Sequence, residues 1–229
     1  MNDSTKTLVV GLVAALVPSV LVANWGSAAR ARLRDNQANP QPVTTAAVAN
    51  DEYCTPQLKA VVRRVASSCG LLQDAAAGAR GCQPMEAQKV AALSGGDFNA
   101  LFKPLSKRAH ILQFDLDKTE LDDGAKKLAE QAWSDQRGAS FFFVVSRAST
   151  DGDVTHNQEL SRDRGQAVLG YLKERFKDPE LDKQVGVLWL GEEFAQLGDE
   201  FCTWSRSREA CTPSDLNRSA FVAWIDCAI

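Results

Sequence analysis

From residue 110 onward the sequence alternates short apolar runs with long stretches of helical periodicity, and this alternation restricts the fold more than any other feature. His110 to Leu116 places Leu112, Phe114 and Leu116 on one face at period two, the pattern of a half-buried strand. Thr119 then precedes a helical stretch whose apolar positions are Leu121, Ala125, Leu128, Ala129, Ala132 and Trp133, with Thr119 and Asp122 spaced as a capping box. Ala139 to Val145, ASFFFVV, suits a central strand, and Thr155 to Gln158 caps a second helix carrying Leu160, Ala167, Val168, Tyr171 and Leu172. Val185 to Leu190 and Ser219 to Ile225 are two further strands, separated by a long loop. Strand and helix alternating, then two strands, predict an α/β sandwich of order β-α-β-α-β-β: one mixed sheet with helices packed on it.

The N-terminal half reads differently. Residues 1–7 form a short tail, and residues 8–25, LVVGLVAALVPSVLVANW, are uncharged, close to the roughly 20 residues needed to cross a bilayer core. Gly26-Ser27-Ala28 and Ala29-Arg30-Ala31 would suit cleavage of a signal segment, but the run exceeds a typical secretory core, so we read a retained transmembrane anchor. No cysteine follows it as a lipid attachment site. Residues 26–50 read as a linker, rich in Asn, Gln, Pro and small residues from 36 on. Residues 51–109 show short helical patterns, notably Leu58, Val61, Val62 and Val65, and are expected to be mostly helical, with no role assigned.

Orientation draws on two opposed signals. Lys6 alone precedes the run and Arg30, Arg32 and Arg34 follow it, which favours a cytoplasmic body. Six cysteines, Cys54, Cys69, Cys82, Cys202, Cys211 and Cys227, contain no CxxC pair and accompany only two histidines, which suits disulfides in an oxidising compartment better than zinc. We adopt export. The net charge of −3 supplies no broad cationic field, so nucleic acid is excluded as a partner. Asp115-x-Asp117-x-Thr119 lacks the glycine and terminal glutamate of a calcium loop, and no nucleophile elbow is present. The chain is therefore expected to be non-catalytic and to hold no metal or cofactor.

On a helical wheel Arg164 falls among Leu160, Val168 and Tyr171 rather than on the polar side. A guanidinium in an apolar stripe needs partners, and its planar fork suits a carboxylate. Asn157 and Ser161 share its face near the helix N-terminus, so the three sketch an anion pocket. The alternative, that Arg164 snorkels or pairs with an internal Asp or Glu, stays open.

Asn157 to Arg164, NQELSRDR, resembles the NxxLSxxR signature of OmpA-like domains, and Phe114 to Leu121, FDLDKTEL, resembles their first strand and helix start. Gly191-Glu192 and Asn217-Arg218 match further positions, so the resemblance covers about residues 105–229 and motivates a domain over 110–229. It implies non-covalent binding of the peptidoglycan stem peptide. An Asp after the second strand and the helix Arg would together hold the charged groups of diaminopimelate, with Arg164 on the carboxylate and Asn157 shaping the pocket. The Asp is absent: its position falls on Ser149, which brings a hydroxyl and no charge, so affinity falls or the ligand differs. Asp151 or Asp153 would compensate, or serve only as turn residues. Cys202 and Cys211 bracket a loop where some family members carry a disulfide, leaving the pairing of Cys54, Cys69, Cys82 and Cys227 open.

The expectation is a single-pass protein of the bacterial inner membrane with its domain in the periplasm, or a secreted periplasmic protein if the segment is cleaved. Its partners would be the membrane, through the N-terminal helix, peptidoglycan and a membrane protein. Two alternatives stand beside it. A wall-anchoring subunit of an ion-driven motor has this layout but usually needs an ionisable acid in its membrane helix, and residues 8–25 contain none. A protein-interaction domain that has lost wall binding is the other.

Overall fold

The computed structural model describes residues 54–68, 85–86, 93–135, 139, 141–178, 181–225 and 227. The apolar run at 8–25, the linker at 26–50, and Cys69 and Cys82 lie outside the described residues. Among the described residues no helix is long and apolar enough to cross a membrane.

In chain order the elements are α1 (Pro56–Ser68), β1 (Met85–Glu86), α2 (Gly95–Ala100), a 3-10 turn (Lys103–Leu105), β2 (Ala109–Gln113), α3 (Asp123–Ser134), β3 (Phe141–Ser146) and α4 (Val154–Phe176). There follow α5 (Leu181–Gln184), β4 (Val185–Trp189), a second 3-10 turn (Asp199–Thr203), β5 (Ser205–Arg206), α6 (Pro213–Asn217) and β6 (Ser219–Ile225). The strands form one six-stranded mixed sheet of order β1-β4-β3-β6-β2-β5. β6 lies at its heart, antiparallel to β3 on one side and to β2 on the other, while β3 and β4 run parallel. The succession β2-α3-β3-α4-β4-β6 is the α/β order expected from the sequence, with two-residue strands added at both edges.

Helices cover both faces. Alternate residues of the central strands, among them Phe142, Val144, Val222 and Trp224, pack under α3 and α4 with Ala125, Ala129, Val168 and Leu172. The other set, Ile111, Phe143, Val145, Phe221 and Ala223, packs with Leu58, Val62 and Val65 of α1 and with Phe98 and Phe102. The stretch 51–109 thus contributes a helix to the same core as the strands that follow it. This second layer explains why β2 is buried along its whole length. Two-sided burial favours a continuous apolar run over alternation, and the half-buried strand expected over His110–Leu116 is corrected accordingly. The strand ends at Gln113, and Leu116 is 64% exposed in a turn where Asp117 adopts φ 57°.

Two caps also differ from expectation. Asp122, not Thr119, caps α3 by accepting from Ala125 N–H at 2.7 Å. Asp153, not Thr155, caps α4 by accepting from Thr155 and His156 N–H at 2.9 and 3.1 Å. In both cases the aspartate sits in extended backbone just before the first helical residue, where a short side chain folds back onto free N–H groups.

Close approach of α1 to the sheet depends on Gly186 in β4. A Cβ there would fall 2.5 Å from the Phe141 ring and 2.7 Å from a Val65 methyl. Gly186→Val is expected to destabilise the chain by about 1–3 kcal/mol through overpacking, read by urea denaturation. A cost below that range would show that α1 shifts freely.

His110 on β2 is buried, with Nδ1 2.9 Å from Ser205 Oγ on the edge strand β5. Burial lowers its pKa from 6.5, outweighing the opposing charge of Asp135. The unfolded chain therefore takes up the proton first as pH falls, and stability drops below about 6.5. His110→Gln is expected to flatten that limb of the stability profile, and an unchanged acid limb would count against it.

Among the described residues, two disulfides close the fold. Cys202–Cys211 pins the second 3-10 turn to the loop before α6, the pairing implied by resemblance. Cys54–Cys227 joins a residue two before α1 to a residue two after β6 across a separation of 173.

Candidate functional site

β3 ends at Ser146, α4 begins at Val154, and the chain re-enters the sheet at Ser219; the loops between them frame a cleft of about 190 Å3. Its lining is Ser149, Thr150, Gln196, Leu197, Pro213, Ser214 and Asn217. Ser149 is 4% exposed, and its hydroxyl has no hydrogen-bond partner among the described residues. The far wall is held from behind. Asn217 accepts from Leu197 N–H at 2.7 Å and donates to Leu197 O at 3.1 Å. Asn99 Nδ2 donates to Gln196 O at 2.9 Å, and Gln196 Nε2 donates to Ala148 O at 3.2 Å.

Arg147 anchors that wall. It is 2% exposed, and its Nε donates to Ala195 O at 2.8 Å while Nη2 donates to Asn99 Oδ1 at 3.0 Å. Burial lowers its pKa to about 9, so it stays charged at neutral pH without a carboxylate among its hydrogen-bond partners. Sequence reasoning passed over Arg147, because its neighbours Ser146 and Ala148 give no periodic signal that it points inward.

The other predicted site residues lie together on one buried face of α4, as the wheel requires. Asn157 donates to Asp151 O at 3.0 Å and to the Glu192 carboxylate. Ser161 Oγ accepts from Gly191 N–H at 3.0 Å, securing the turn after β4 where Gly191 adopts φ 60°. Arg164 is fully buried and donates to the carbonyls of Lys118, Arg147 and Asp115 at 2.9, 3.2 and 3.2 Å, with its guanidinium 5.3 Å from the Phe114 ring centre. The internal carboxylate partner left open by the sequence is not what the fold supplies. Burial, joined by the charge of Arg218, lowers the Arg164 pKa to about 10, against an opposing effect of Asp117. Of Ser149, Asn157, Ser161 and Arg164, only Ser149 lines the cleft; the other three tie its loops together.

Neither acidic substitute for Ser149 lines the cleft. Asp151 accepts from Ser214 Oγ at 3.0 Å and lies 3.8 Å from Arg218, and Asp153 is spent as the α4 cap. Arg218 is held by Asp215 at 2.5 Å, with its Nε buried and unpartnered. Among the described residues no cluster of His, Cys, Asp and Glu could hold a metal ion.

No family model matches the chain, and no curated protein matches it. Among solved structures it is similar to the OmpA-like domain of FopA1 from Francisella tularensis subsp. tularensis SCHU S4. The identity is 24% and the TM-score 0.38, over 49% of this chain and 68% of that one. It is also similar to the peptidoglycan-associated lipoprotein from Burkholderia pseudomallei, at 23% identity and a TM-score of 0.37, over 53% of this chain and 93% of that one. The chain is similar to OmpA-like domains. The NQELSRDR segment lies within the first three turns of α4, and Asn217-Arg218 leads into β6.

Proposed function

We propose that this chain is a non-catalytic, membrane-anchored periplasmic protein whose OmpA-like domain binds the peptidoglycan stem peptide. The observation carrying this reading is Arg164: a buried guanidinium with no carboxylate among its hydrogen-bond partners, bonded to the carbonyl of Arg147 two residues before the cleft-lining Ser149. Charge buried in this way favours an incoming anion. A ligand carboxylate takes the guanidinium donors now held by the carbonyls of Asp115 and Lys118, and the exposed turn around Leu116 gives way to admit it. The uncharged run at 8–25 supports the membrane anchor, and the disulfides support an oxidising compartment.

The test is co-sedimentation of the full-length chain, in detergent, with diaminopimelate-type sacculi. Wild type is expected to pellet, and Arg164→Met, folded by circular dichroism, is expected to lose at least about tenfold in affinity. Failure of wild type to pellet overturns the reading. It would favour an interaction domain that has lost wall binding, a reading supported by the complete covering of Arg164.

A further inference from the structure

Two of the three carbonyls that accept from the buried Arg164 guanidinium, those of Asp115 and Lys118, belong to a segment whose residues 115–118 are all exposed. Backbone bonding holds this segment weakly. Among the described residues its one backbone–backbone hydrogen bond is internal, from Lys118 N–H to Asp115 O at 3.2 Å. Leu116 is already exposed, so lifting the segment loses little apolar burial. Side chains from two other elements hold its shoulders. Arg208 Nη1 donates to Asp115 Oδ1 at 2.6 Å, and His156 Nε2, in the first turn of α4, lies 2.6 Å from Asp117 Oδ1. Arg208 is fixed in turn on the loop closed by Cys202–Cys211: its N–H donates to Gln113 Oε1 at 3.0 Å, and Ser207 N–H donates to Ile111 O at 3.0 Å.

We infer that residues 115–118 form a lid over Arg164, latched by Arg208 on Asp115 and by His156 on Asp117, and that a ligand carboxylate reaches the guanidinium only when the lid lifts. This rests on the stem-peptide reading and gives that site a control over access. A site whose competent state is fractionally populated loses affinity by that fraction, so cutting a latch tightens binding. Exposed pairs are individually weak, and each shifts the opening by about twofold to fivefold. Arg208 makes the sign of the effect diagnostic. Charge alone predicts that removing a cation near Arg164 weakens the binding of an anion, whereas the lid predicts that it strengthens it.

The experiment compares the full-length wild type, Arg208→Met and His156→Ala in detergent by two measurements. Calorimetry with a stem tripeptide ending in diaminopimelate reads affinity, and phenylglyoxal treatment followed by peptide mass spectrometry reads how fast each arginine is modified. Each variant is expected to bind about twofold to fivefold more tightly than wild type, and Arg164 to be modified faster by the same factor. Arg147, buried behind the cleft wall and remote from both latches in its hydrogen bonds, is expected to keep its wild-type rate. Unchanged or weaker binding by the Arg208 variant, or an Arg164 rate that does not rise, overturns the lid and leaves stem-peptide binding standing. Arg164 and Arg147 accelerating together would mean general loosening of the domain and overturns it as well. Should wild type and variants all fail to bind the tripeptide, the stem-peptide reading falls, and the modification rates alone decide whether the lid exists.

Discussion

Cys227→Ala is expected to lower the unfolding free energy of the oxidised chain by up to about 5 kcal/mol, since the chain-entropy model assigns its long loop nearly the largest contribution a single bridge makes. Cys202→Ala opens the short loop between Cys202 and Cys211 and is expected to cost only about 2–3 kcal/mol by the same relation. Urea denaturation of both variants under non-reducing conditions, with the partner cysteine also replaced to prevent mispairing, gives the comparison. The larger loss should come from the longer loop, and it should be accompanied by early exposure of α1, because Cys54 lies two residues before that helix. An equal or smaller loss in the Cys227 variant would mean that packing of Leu58, Val62 and Val65 holds α1 without the bridge.

Arg147→Ala is the second large effect, at about 3–5 kcal/mol. Truncation removes the side chain that fills the space behind the cleft wall, and it strands the Ala195 carbonyl and Asn99 Oδ1 without donors. Relief of the buried charge offsets part of that cost, which separates this residue from an ordinary core truncation. Arg147→Lys keeps the charge and loses the fork, so it is expected to fall between the two. Thermal and urea unfolding of the series check the order, and a loss below about 1 kcal/mol for the alanine variant would show that the wall stands without this anchor.

The elements most legible in the sequence were those with the longest uninterrupted signals. Phe141–Ser146, Val185–Trp189 and Ser219–Ile225 are apolar throughout or nearly so, and α4 keeps a helical spacing of buried positions from Asn157 to Leu172. The two edge strands were invisible because two residues cannot display a period. The half-buried reading of β2 failed for a different reason: periodicity predicts which side faces a core, and here both sides do, since Ile111 joins a second apolar cluster, with Phe98 and Phe102, on the face that the sequence left uncovered. At the site, the wheel located Arg164 in the interior, but its partners are backbone carbonyls from distant loops, which carry no side-chain signature. The cleft wall was unreadable for the same reason. Gln196, Pro213 and Ser214 are ordinary loop residues until the fold sets them opposite Ser149.

The Cys54–Cys227 bond also fixes how the domain bears load. Tension entering the chain ahead of residue 54 passes across the sulfurs to the end of β6, skipping α1 and the whole intervening polypeptide. The cleft residues Ser214 and Asn217 lie at the opposite, N-terminal end of that strand. A pull between the two points therefore runs lengthwise along β6, which is hydrogen-bonded on both sides, to β3 and to β2. Antiparallel ladders loaded in this direction must yield as a group in shear rather than unzip one pair at a time. With the bridge reduced, the same pull would reach α1 first and peel the domain from its edge.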